Sequence, residues 1–70
     1  MKVKAIAAEI MDLANDWWAD ACRYQSVSRK IECFEAAIPL YESAEQAGFA
    51  GGQERADACR RNVAVLKQFQ

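Results

Sequence analysis

The sequence contains no histidine, and that absence removes several kinds of chemistry at once. A serine or cysteine nucleophile loses its commonest general base. Zinc patterns built from cysteine and histidine cannot be assembled, and neither can the Glu-x-x-His pairs of di-metal helical bundles. Glycine is sparse, and Gly51-Gly52 lacks the lysine and hydroxyl that a phosphate-binding loop requires. No apolar run approaches the roughly 20 residues of a membrane span. Charge is nearly balanced at −1, so no global field draws the chain to nucleic acid or to a lipid surface. The cysteines number three, Cys22, Cys33 and Cys59, an odd count spread widely along the chain. They do not form a disulfide framework, and free thiols of this kind suit a reducing cytoplasm. With 70 residues there is room for one domain, residues 1–70. These absences together point away from an enzyme, and no metal or cofactor is expected.

What is present is apolar residues, at 53% of the chain, arranged with helical period. Val3, Ile6, Ile10, Leu13, Trp17, Ala21 and Tyr24 follow at steps of three or four. Ala7, Met11, Ala14, Trp18 and Cys22 make a second apolar line, and Glu9, Asp12, Asp16 and Asp20 an acidic ridge. The pattern predicts a first helix over about 3–24, unbroken at Asn15-Asp16 because the stripe stays in phase there. Glu9 and Asp12 also interrupt the opening segment, which is therefore read as mature structure and not as a signal peptide. The Ile6–Ile10–Leu13–Trp17 line is expected to be the spine of the core. Adjacent helical residues are rotated by about 100°, so Trp17 is assigned inward and Trp18 to the margin.

A polar connector with Ser28 as N-cap, Ser26 being the alternative, leads to a second helix over about 29–47. Its core line is Ile31, Phe34, Ile38, Tyr41 and Ala44, flanked by Cys33, Ala37, Leu40 and Ala47. Pro39 falls in phase with Glu32, Glu35, Glu42 and Gln46, so the helix is expected to kink there with the proline facing water. Gly48 suits a left-handed C-cap with Phe49 folding back, and Ala50-Gly51-Gly52 is expected to be the loosest point. A third helix over about 53–68 turns Ala56, Cys59, Val63 and Leu66 inward, with Val65 and Phe69 beside them. Short connectors force neighbouring helices to run antiparallel. The fold class is all-α, an antiparallel three-helix bundle in up-down-up order.

Trp17-x-x-x-Ala21-x-x-Tyr24 resembles the first helix of a tetratricopeptide-type repeat, and Ala37-x-x-x-Tyr41-x-x-Ala44 is similar to the small–aromatic–small trio of its second. The resemblance covers about half the chain and implies an antiparallel helical hairpin, in a family that binds peptides or proteins.

The expected function is a non-catalytic protein-binding module: a small cytoplasmic regulator or inhibitor that occupies a partner's surface. Glu9, Asp12, Asp16 and Asp20 would supply charge complementarity, with Trp18 and Tyr24 as hydrophobic anchors. Size and surface fit an inhibitor of the kind encoded by phage or mobile elements. One alternative is a homodimer or larger homo-oligomer burying its apolar helix faces. The other is a nucleic-acid accessory protein using Arg55, Arg60, Arg61 and Lys67, which is disfavoured because aromatics do not interleave with these charges. The three cysteines are expected to pack as small hydrophobes.

Overall fold

A computed structural model describes the backbone from Lys2 to Gln70 and the side chains from Ala5 onward. It contains α1 (Lys2–Arg23), α2 (Val27–Gln46) and α3 (Gly52–Lys67), and no strand among the described residues. α1 runs through Asn15-Asp16 without interruption, and α2 passes Pro39 as one helix with the proline exposed.

The order of cross-helix contacts gives the directions. Lys30 Nζ donates to the Ala21 carbonyl, Trp18 meets Phe34, and the Tyr41 hydroxyl donates to Asn15 Oδ1. One number rises as the other falls, so α1 and α2 are antiparallel. The Gln53 amide donates to Glu45 Oε1, Arg60 pairs with Glu42, and Lys67 lies 3.9 Å from Glu35. α3 is therefore antiparallel to α2 as well, completing up-down-up. α2 is the central element and packs along its length against both neighbours, while α1 and α3 touch each other little. The result is an elongated slab of 43 × 18 × 12 Å.

The connectors are sharply made. Ser26, not Ser28, caps α2, its hydroxyl oxygen accepting from the Arg29 amide at 3.4 Å. Ser28 lies already one residue inside the helix. At the far end Gly48 takes φ 107°, the Gly48 amide donates to the Glu45 carbonyl, and the Phe49 amide donates to the Ala44 carbonyl. This is the Schellman arrangement, and it needs glycine because a side chain is strained at that φ.

Ala50-Gly51-Gly52 is tighter than its composition implies. Gly51 adopts φ 97° as the residue before α3, and Gly52 is buried against α2. A Cβ on Gly52 would stand 2.9 Å from the Glu45 amide nitrogen and closer still to the Tyr41 carbonyl oxygen. The glycine is there so that the start of α3 can lie directly on the α2 backbone.

α2 and α3 bury the faces that their periodicity marks. Ile31, Phe34, Ala37, Tyr41 and Ala44 are buried on α2, with Cys33 beside them; Ala56, Cys59 and Val63 are buried on α3. Val65 and Phe69 are exposed.

α1 departs from expectation. Its buried line is Ala7, Met11, Ala14 and Ala21, with Trp18 partly buried against the same core. The line expected to be the spine faces outward: Ile6 is 52% exposed, Leu13 55%, Trp17 41% and Tyr24 41%, with Ile10 half-buried. The Val3 side chain lies outside the described residues. Helix separation follows the side chains at the contact. Ala7, Ala14 and Ala21 on α1, like Ala37 and Ala44 on α2, allow the two helices to approach closely. A spine of isoleucine, leucine and tryptophan would hold them apart.

Candidate protein-binding face of the first helix

Trp17 and Trp18 take opposite positions to those expected of them. The Trp18 ring meets Phe34 edge to face at 5.2 Å and Tyr41 at 6.5 Å, and the Arg55 guanidinium lies over it at 5.3 Å from the centroid. One ring thus joins α1, α2 and α3. Edge-to-face contact and cation–π attraction both favour this placement. Trp18 is therefore a core contact, and Trp17 is the tryptophan available at the surface.

Tyr41 completes the junction. It is fully buried, and its hydroxyl keeps a partner by donating to Asn15 Oδ1 at 2.6 Å. Burial, then the nearby Cys59 sulfur, raise its pKa, while Arg55 opposes them. Cys59 is pushed up to about 11 by burial. Burial also raises Cys33, with Asp20 and Glu32 adding to the effect. These two thiols are neutral small hydrophobes at ordinary pH. Cys22 departs from that pattern: it is exposed.

Outside the core, α1 carries the expected acidic ridge. Glu9, Asp12 and Asp16 are exposed; Asp20 is half-buried and paired with Arg23 one turn later. Beside the ridge runs the row Ile6, Leu13, Trp17 and Tyr24. Where this row meets α2, a groove of about 430 Å³ is lined by Trp17, Tyr24, Arg29, Glu32, Cys33 and Ala36. Arg29 lies 5.8 Å from the centre of the Tyr24 ring and holds it at the mouth. Comparison with protein-family models, curated proteins and solved structures returns no match. The face is therefore read from its own residues.

The basic residues of α3 do not form a comparable free patch. Arg55 covers Trp18, and Arg60 engages both Glu42 and Asp57. The Arg60–Glu42 hydrogen bond is the main reason its pKa rises. Lys67 approaches Glu35, and Arg61 is exposed.

The structure joins Glu9, Asp12, Asp16, Asp20 and Tyr24 on one side of α1, moves Trp18 into the core, and adds Ile6, Leu13 and Trp17. The signal for those three was present as the three-and-four spacing. Its direction was not, because spacing alone does not tell which of two adjacent apolar lines meets the core.

Proposed function

We propose that this chain is a non-catalytic protein-binding module that acts by occupying a partner's surface with α1, as a small regulator or inhibitor does. The observation that carries the reading is the row of large apolar side chains, Ile6, Leu13, Trp17 and Tyr24, left exposed beside Glu9, Asp12 and Asp16. Single exposed apolar residues are ordinary, but an aligned row rimmed by charge is a mark of interaction surfaces. Tryptophan and tyrosine are favoured anchors in such surfaces. The resemblance to a tetratricopeptide-type hairpin agrees with a binding role and adds no ligand.

A photo-activatable residue placed at Leu13 tests the reading in cells. The expected result is a discrete protein adduct at Leu13 and none from the same residue at Pro39, which is exposed on α2. Equal labelling from both positions, or none from Leu13, removes the proposal.

A further inference from the structure

The exposed row on α1, together with the half-buried Ile10 and Asp20 that fall in phase with it, has the spacing of a coiled-coil seam. Ile6, Ile10, Leu13, Trp17, Asp20 and Tyr24 follow at alternating steps of four and three. A surface of this period is complementary to another helix, whose side chains enter the holes between its own. The two flanks of the seam are unlike. On one flank stand Ala7, Ala14 and Ala21, each buried. On the other stand Glu9, Asp16 and Arg23, all exposed, with Asp20 interrupting the seam itself and paired with Arg23. The open side is thus lined by carboxylates over its first two-thirds, up to the Asp20–Arg23 pair, while the closed side abuts the shoulder of α2 at Ala36 and Arg29.

Resting on the binding role proposed above, we infer that the occupant of this face is an amphipathic helix of a different protein, with a three-and-four apolar stripe and lysine or arginine along one flank. The charges argue against a second copy of this chain. Two copies related by a two-fold axis would run α1 antiparallel to α1 and bring identical flanks together. In the register that overlaps the whole seam, Asp16 would face Asp16 of the other copy at its centre, a like-charge contact that destabilises pairing, and Glu9 would meet an Arg23 already held by Asp20. A parallel pairing would align the two Asp20 carboxylates in the seam. Opposite charge on the incoming flank relieves both problems.

The test uses synthetic helices about three heptads long with leucine and isoleucine at seam positions, one set flanked by lysine and one by glutamate. Affinity for the full chain is measured by calorimetry, and association of the chain alone by sedimentation. The lysine-flanked helix is expected to bind at least about tenfold more tightly than the glutamate-flanked one. Leu13→Glu is expected to weaken it by about tenfold or more, and Glu9→Lys with Asp16→Lys to reverse the preference. All three positions are exposed, so unchanged circular dichroism and melting will show that each variant still folds. Equal affinity for both peptides overturns the inference, as does binding indifferent to Leu13→Glu. A dimer of the chain that Leu13→Glu dissociates also overturns it. If Leu13 still cross-links to a protein in cells while the peptide preference is absent, the binding role stands and the basic-helix occupant falls.

Discussion

Trp17 and Trp18 are adjacent in sequence, yet about 100° of helix rotation sends their rings to different tasks. Trp18 touches Phe34, Tyr41 and Arg55, so its removal leaves a cavity where three helices meet. Trp18→Ala is expected to cost about 3–5 kcal/mol in urea unfolding, while Trp17→Ala costs under about 1 kcal/mol. The reverse order would refute the placement of the two rings. At Gly52 the limiting factor is space. Gly52→Ala forces a methyl into the α2 backbone near Tyr41 and Glu45, with an expected loss of about 1–3 kcal/mol by the same measurement. The buried thiol Cys59 gives a pH dependence whose sign follows from its burial. From its ordinary value of 9.0 up to about 11, the unfolded chain has lost the thiol proton and the folded chain keeps it. Stability is therefore fully present below pH 9 and falls as pH rises toward 11. Urea midpoints across that range should decline, and Cys59→Ala should flatten the decline. Cys22, being exposed, should react with a disulfide reagent in the native state, with Cys33 and Cys59 reacting only on unfolding.

At the scale of the helices, α2 and α3 were legible because each has one apolar stripe and one clear polar face. Ile31, Phe34, Tyr41, Ala56, Cys59 and Val63 are where a three-and-four reading puts them. α1 was legible as a helix but not in its orientation. It carries two adjacent apolar lines, and hydrophobicity ranks the isoleucine–leucine–tryptophan line above the alanine-rich one. Packing reverses that ranking, since Ala7, Ala14 and Ala21 permit a close approach to α2 and leave space for Trp18 to reach Phe34. The acidic ridge was read as exposed, and Glu9, Asp12 and Asp16 are, while Asp20 is half-buried and paired with Arg23. Of the two anchors expected beside the ridge, Trp18 was misplaced for the same reason as the spine, while Tyr24 is exposed as expected. Leu13→Ala and Ala14→Leu separate the two effects. Leu13→Ala is expected to change stability by less than about 1 kcal/mol, because its side chain is already in water. Ala14→Leu overpacks the α1–α2 contact and is expected to cost about 1–3 kcal/mol or more. Equal costs at these neighbouring positions would mean that α1 presents a different face to α2.

For the whole molecule, the dominant fact is that α2 is shared. A 70-residue domain has little stability to spare, since it buries only about 60% of the surface its unfolded chain exposes. Here α1 and α3 pack little on each other, and both pack on α2 around one core cluster. Trp18, Tyr41 and Arg55 join the three helices, which makes cooperativity depend on a few side chains. Amide exchange should be slowest in the middle of α2, which both neighbours cover, and fastest after Lys67, where the helix has ended. Trp18→Ala should raise exchange in α1 and also in α3, because Arg55 loses the ring on which it rests. Trp17→Ala should leave both helices protected, since that ring serves the outer face alone. Were α3 to keep its protection in Trp18→Ala while α1 lost its own, α2 and α3 would constitute an independently stable hairpin. α1 would then be an attached binding helix and not one-third of a cooperative fold. Co-operative loss across all three helices instead ties the exposed seam to the core beneath it: the same helix that offers Leu13 and Trp17 to a partner holds Trp18 at the junction.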